Sequence, residues 1–194
     1  MSLKIYLMRH GETLFNTRKV EQGQCDSPLT ENGIRQAEAA RSWFENHHIN
    51  FDAGYSSTLE RACDTFEIIT DQPYTRRHDL KEISLGTKEA VSIAEEPPYP
   101  YGDYYIQFGG EGLEAFRKRI FHAMKEIAVK EYDSVQERTV LVVSHGMAMR
   151  QFMNQINGPD RVPSNCGIAH IVYDDSGFHF QNLIDPLQSA QEKG

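Results

Sequence analysis

The chain has 194 residues, 39% of them hydrophobic and 25% charged, with a formal net charge of −8. This is the composition of a soluble globular protein large enough for one domain, and the acidic balance argues against nucleic acid, which needs a basic footprint. Three cysteines without metal-ligand spacing point to a reducing compartment, and no apolar run suits a signal peptide or membrane span, so the cytoplasm is the expected location.

Lys4 to Met8 is a short apolar run that predicts a buried strand ending on Arg9-His10. Thr30 predicts the cap of a helix to about Phe44, with Leu29 and Ile34 as a hydrophobic staple and Ile34, Ala37, Ala40 and Phe44 as its stripe. Phe51 to Ser56 predicts the second strand. Ser57-Thr58-Leu59-Glu60 is a capping-box pattern ahead of a helix whose buried stripe is Leu59, Ala62, Cys63, Phe66 and Ile69. Tyr74 to His78 suggests a short strand. A long amphipathic helix follows, with Leu113, Phe116, Ile120, Met124 and Ile127 inward. Val140 to Val143 predicts a central strand that breaks at Ser144-His145-Gly146 into another helix. Ile168 to Tyr173 and Phe178 to Ile184 flank the hairpin signal Asp174-Asp175-Ser176-Gly177.

Helical and strand patterns alternate from end to end, without repeat or linker. The expectation is a single α/β domain over 1–194, a three-layer sandwich with a mostly parallel central sheet flanked by helices on both faces. Ile83 to Gly110 departs from this rhythm: Pro97, Pro98 and Pro100 stand among Tyr99, Tyr101, Tyr104, Tyr105 and Phe108. It reads either as a lid-like segment over a site or as a surface loop packed by its own aromatics.

In open α/β sheets ligands bind beyond the carboxyl ends of the strands. Three strand-to-helix junctions bring polar groups there: Arg9-His10, Arg61 in the first turn of the helix after the second strand, and Ser144-His145. Two arginine forks and two imidazoles converging at helix N-termini make a phosphate pocket. His10 adds a nitrogen nucleophile suited to neutral pH.

Arg9-His10-Gly11-Glu12-Thr13 with Asn16, Gln22-Gly23, Asp26-Ser27-Pro28-Leu29-Thr30 and Gly33 stand first in the chain. Ser56-Ser57, Arg61-Ala62 with Thr65, Leu80-Lys81-Glu82, Leu85-Gly86, Gly109-Gly110-Glu111 and Ser144-His145-Gly146 follow in order. This set resembles the histidine phosphatase superfamily, the phosphoglycerate-mutase-like proteins, over nearly the whole chain. The resemblance implies that His10 accepts the phosphoryl group as phosphohistidine. It implies that Arg9, Arg61 and His145 hold the phosphate oxygens, with Asn16 as a further donor and Gln22, Gly23 and Gly146 at the binding surface. Glu82 would be the general acid and then the base that activates water, its pKa raised, giving a mildly acidic to neutral optimum. Glu111 either reaches the pocket or favours the N-terminus of the next helix, the latter being preferred.

The other histidines (His47, His48, His78, His170 and His179) lack ligand spacing, and no carboxylate–histidine cluster stands out, so no metal or other cofactor is expected. The superfamily also contains mutases and non-catalytic partner-binding relatives. Phosphoglycerate mutases carry an arginine-bearing insertion near the acid, whereas here no arginine lies between Arg77 and Arg117, and only Lys81 and Lys88 are basic. Phosphomonoester hydrolysis of a small phosphorylated metabolite is therefore favoured over mutation, which would need a bisphosphoglycerate primer. The sequence after Leu85-Gly86 runs Lys88-Glu89-Ala90 where many phosphatase relatives have a Trp-Glu-Gly-like run, so the substrate is not copied from them. Tyr101 and Tyr104 are candidate contacts for an uncharged or aromatic leaving group. An edge strand near Ile168 or Phe178 leaves a homodimer open.

Overall fold

The computed structural model describes residues 1–95 and 97–191. Two apolar faces alternate along its first strand, β1 (Leu3–Arg9). Leu3, Ile5 and Leu7 point into one hydrophobic core and Tyr6 and Met8 into a second. The same division runs through β4 (Arg138–Ser144), where Val140 and Val142 join the first core and Leu141 and Val143 the second. A strand buried on both faces is what a parallel sheet clothed by helices requires.

The helices sort accordingly. Against the second core lie α2 (Glu31–Asn46), following the single turn α1 (Leu14–Thr17), and α3 (Glu60–Ile69). Against the first lie α4 (Leu113–Glu131) and α5 (Gly146–Gln155), which bury Phe116, Ile120, Met124 and Ile127 and Met149 and Phe152 respectively. A short α6 (Pro186–Gln191) follows the last strand. With β2 (Ala53–Ser57), β3 (Thr75–Arg77), β5 (Ile168–Asp174) and β6 (Gly177–Ile184), the sheet order is β3-β2-β4-β1-β5-β6. The first four strands in that order run parallel, β5 runs antiparallel to β1, and β6 runs antiparallel to β5. The expected three-layer α/β sandwich is therefore present, with β4 central.

Several local expectations are corrected. The second strand begins at Ala53, because Asp52 bridges to Thr139 (Thr139 N–H to Oδ2, 2.7 Å) and Phe51 turns into the core instead of joining the ladder. Ile34 is 40% exposed, so it neither staples nor lines the inner face of α2. Gly33 takes the inward position, with Ala37, Ala40 and Phe44 beneath it. Thr30 does cap this helix, accepting from Gly33 N–H at 2.9 Å. The capping box at Ser57 does not form; Leu59 is the N-cap and uses no side chain. Its apolar stripe is nonetheless buried from Leu59 to Ile69.

Among its described residues, 83–110 makes short 3-10 turns at Gly86–Lys88, Ile93–Glu95 and Tyr104–Phe108 and an isolated bridge from Ser92 to Val20. Tyr101 and Tyr105 are buried in the first core, with Tyr99 and Tyr104 packed against it. Residue 96 lies outside the described residues.

Gly11 and Gly33 meet backbone to backbone. A Cβ on Gly33 would stand 2.1 Å from Glu12 O, and one on Gly11 2.6 Å from Gly33 O. Gly33→Ala therefore forces apart the start of α2 and the loop after β1. It is expected to cost about 1–3 kcal/mol, the usual penalty of overpacking, read as a lowered midpoint in urea unfolding.

Candidate active site

The parallel register brings the carboxyl ends of β1, β4 and β2 level: Arg9 is paired with Ser144, and Ser56 with Val143. His10 N–H continues the β1–β4 ladder by donating to Ser144 O at 3.0 Å. The chain then leaves the sheet through Gly11, whose N–H donates to Thr65 Oγ1 at 3.0 Å. His10 is thus held between two strands and a helix, with its ring 3% exposed.

The protonation of that ring follows from its neighbours. Arg61 Nε–H, which can only donate, points at His10 Nε2 at 3.3 Å. Nε2 is therefore the acceptor, and the proton resides on Nδ1, which donates to Gly11 O at 2.8 Å. Burial, then Arg61 and Arg9, hold the His10 pKa well below the ordinary imidazole value. The result is a neutral imidazole with its Nε2 lone pair at the cavity wall.

Arg61 is 1% exposed, buried from the first turn of α3. Besides His10 it donates to Gly23 O (2.8 Å), Cys25 O (2.8 Å) and Asp26 Oδ1 (3.1 Å). Asp26 also receives the N–H groups of Glu60 and Arg61, so it caps α3 from more than thirty residues away. Gly23 has φ +52, and a side chain there would crowd Leu85 and Glu89. Arg9 donates through Nη1 to Pro163 O at 2.8 Å and lies over Gly146, where a Cβ would come within 3.3 Å of Nε.

His145 lies behind His10, with ring centroids 5.3 Å apart and the rings tilted by 59°, and is fully buried. Its Nε2 is 2.8 Å from Ser57 Oγ, which also accepts Leu59 N–H. When the Ser57 hydroxyl donates to Nε2, the His145 proton lies on Nδ1. At this site three polar atoms, Arg9 Nε, His145 Nδ1 and Gln22 Oε1, are buried without a protein partner. Arg9 Nε is a donor, and His145 Nδ1 is one when Ser57 donates to Nε2.

These groups surround a cavity of about 210 Å³ lined by Arg9, His10, Asn16, Gln22, Gly23, Arg61, Glu82 and Gly146. Every site residue expected from the sequence except His145 is on that wall; His145 stands behind it. Asn16 caps α1 reciprocally with Thr13 and accepts from Asn165 Nδ2 at 3.3 Å. Glu82 accepts Ile83 N–H at Oε1 (3.0 Å) and Met147 N–H at Oε2 (2.9 Å). Burial pushes its pKa up, against those two bonds and the nearby arginines. The outer wall is apolar: Val20, Ile83, Leu85, Ile93, Met147 and Val162, with the tyrosines 101 and 105 rather than 101 and 104. Arg9 and Arg61 are the only cations among the described lining residues, and Glu21 is also present.

Glu111 neither enters the cavity nor caps α4; it forms a forked pair with Arg119 at 2.9 and 2.7 Å. Arg119 went unremarked in the sequence, although its place three residues after Phe116 puts it at the edge of the inward stripe. Ser57 and Asp26 carry motif positions but no role that sequence alone assigns. Among the described residues no group of three His, Cys, Asp or Glu is arranged for a metal ion, and no helix is long and apolar enough to cross a membrane.

The sequence profile described as histidine phosphatase superfamily (branch 1) matches residues 5–186. A Yersinia pestis (strain Pestoides F) protein called "Probable phosphoglycerate mutase GpmB" is 33% identical over 190 residues, covering 90% of this chain and 86% of that protein. The crystal structure of phosphoglycerate mutase from Bacillus anthracis str. Sterne superimposes with a TM-score of 0.86 at 24% identity, covering 100% of this chain and 97% of that one. Phosphoserine phosphatase from Entamoeba histolytica, in complex with 3-phosphoglyceric acid, gives 0.76 at 25% identity, covering 93% and 96%.

The two buried imidazoles predict the acid limb of stability. In the unfolded chain each takes up a proton near pH ~6.5, whereas in the folded protein both resist it. The unfolded state binds more protons in that window, so stability falls as the pH drops below about 6.5. Glu82 works in the opposite sense, favouring the fold at low pH and losing that contribution as pH rises through its raised value. The melting temperature should be level above neutrality and fall between pH ~6.5 and ~5, with a smaller fall in His10→Gln/His145→Gln.

Proposed function

The chain belongs to the histidine phosphatase superfamily, and from that membership we propose that it is a metal-independent phosphatase acting on small phosphomonoesters through a phosphohistidine on His10. The observation that carries this reading is the tautomer of His10: Arg61 Nε–H and Gly11 O leave the Nε2 lone pair free of a proton at the cavity wall.

In the first step Nε2 attacks phosphorus as the bond to the leaving oxygen breaks, and protonated Glu82 gives that oxygen its proton. In the second, Glu82 as carboxylate takes a proton from water, the water oxygen attacks phosphorus, and the N–P bond breaks. Phosphate leaves and His10 returns to its starting state. Arg9, Arg61 and the Nδ1–H of His145 balance the equatorial charge, which is the main demand of phosphoryl transfer. The partnerless Arg9 Nε–H suits that charge, as does His145 Nδ1 in the tautomer that accepts from Ser57 at Nε2. Asn16, Gln22, Gly23 and Gly146 complete the binding surface.

The apolar outer wall supports hydrolysis of a substrate with one phosphate and an uncharged, apolar body. A mutase must hold a second anionic group while the phosphoryl group changes oxygen, and no third cation lines the described wall. The 33% identity to a protein called a phosphoglycerate mutase favours the mutase as the second reading. Its test is interconversion of phosphoglycerates with a bisphosphoglycerate primer.

In EDTA, purified protein should release phosphate from p-nitrophenyl phosphate faster than from 3-phosphoglycerate, and His10→Ala should release none. Acid-labile, base-stable label on wild type quenched during turnover would identify the intermediate. Hydrolysis undiminished in His10→Ala would refute the proposal.

For a simple alkyl phosphate, whose alkoxide needs a proton to depart, neutral His10 and protonated Glu82 are both needed in the first step. The kcat/KM profile should therefore be bell-shaped, falling on the alkaline side as Glu82 ionises. A rate unchanged from acidic to strongly alkaline pH would remove Glu82 as the acid.

A further inference from the structure

Away from the reacting groups, Arg119 on α4 is the centre of a saturated hydrogen-bond cluster. Nη1 donates to Asp79 O (2.8 Å) and Lys81 O (2.9 Å), and Nη2 to Glu82 O (3.1 Å). The remaining Nη2 and Nε donors grip the Glu111 carboxylate at 2.7 and 2.9 Å. All five guanidinium hydrogens are thereby used. Arg119 and Glu111 side chains are 21% and 19% exposed, and neither lines the cavity.

The geometry answers a need of the acid-bearing segment. Residues 79–82 follow β3 and belong to no ladder, so their carbonyls must find partners elsewhere. Ser144 Oγ–H takes Leu80 O at 2.8 Å, Gln24 Nε2 makes one bond to Glu82 O at 3.0 Å, and Arg119 takes the other three contacts. Glu111 is fixed in its turn: its N–H donates to Ser84 O at 2.8 Å. The preceding Gly110 leaves no room for a Cβ, which would stand 2.6 Å from the same oxygen. A planar fork held by a forked carboxylate fixes direction as well as distance.

From this geometry we propose that Arg119 and Glu111 are positioning residues for general-acid catalysis: they fix the backbone from which Glu82 delivers its proton to the leaving oxygen. The proposal rests on the phosphatase reading above. Neither residue touches the reacting atoms, yet a displacement of the acid by about 1 Å is enough to lose on the order of 100-fold in rate.

Leaving-group dependence separates this role from a merely structural one. The quantity kcat/KM reports events up to departure of the first leaving group. The phenolate of p-nitrophenyl phosphate departs without a proton, whereas the alkoxide of a simple alkyl phosphate requires one. Wild type, Glu111→Gln and Arg119→Lys are compared on both substrates, with thermal melting of each; Arg119→Lys serves if Glu111→Gln does not fold. We expect kcat/KM for the alkyl phosphate to fall at least about tenfold more than that for p-nitrophenyl phosphate, a part of the ~10²–10⁴ that general acids supply. Equal losses on both substrates, or none, would overturn the proposal. Wild type inactive on both would instead overturn the phosphatase reading, and this inference with it.

Discussion

Arg61 holds a permanent charge out of water at 1% exposure, and a buried cation is tolerable only when its donors are satisfied. Each partner that satisfies it determines a part of the site. The carbonyls of Gly23 and Cys25 draw the 22–26 loop over the cavity, and Asp26, drawn in as counter-ion, becomes the cap of the helix that carries Arg61. The remaining direction is occupied by His10, whose tautomer is then no longer free to vary. One guanidinium thus joins the loop, the helix and the His10 ring, linking Asp26 to His10 through a single side chain.

The protein is acidic overall, with a net charge of −8, yet its cavity concentrates two arginines beside two neutral imidazoles. Burial achieves this local reversal. It depresses both histidines, so the positive charge at the site is fixed on guanidinium groups, while the same burial raises Glu82 towards its protonated form. One common environment thereby favours the neutral form of both kinds of group, placing an unprotonated imidazole nitrogen and a carboxyl biased towards its protonated form around the same cavity.

Much of this was legible in the sequence. Strand alternation and helical stripes are local signals, and the runs around β1, β4, α3 and α4 carried them cleanly, which is why the layers and the central strand were foreseeable. The junction residues Arg9, His10, Arg61 and His145 were legible because strand ends in such sheets share an edge. What escaped was non-local. Asp26 caps a helix that begins at Glu60, so the local capping box at Ser57 was the wrong place to look. Ile34 lost the inner face of α2 because two glycine backbones meet there, a contact no periodicity reveals. Glu111 and Arg119 satisfy carbonyls of an irregular segment, and the need for such partners is visible only once the ladders are known.

The direction of β5 has a consequence for how this site varies. Being antiparallel to β1, it begins where β1 ends, with Met8 opposite Ile168 and Arg9 N–H bonded to Gly167 O. The segment leading into it therefore reaches the same edge as the three outgoing junctions, and supplies Pro163 O to Arg9, Asn165 to His10 O, and Val162 to the cavity. An all-parallel sheet would deliver that segment to the far side. Here one wall is built by a chain travelling against the traffic of the others, tied to His10 at its base and separate from both the helix that carries Arg61 and the irregular segment that carries Glu82. Its outer portion is where insertions and exchanges can reshape the reach of the pocket while the end formed by Arg9, His10 and Arg61 keeps its form.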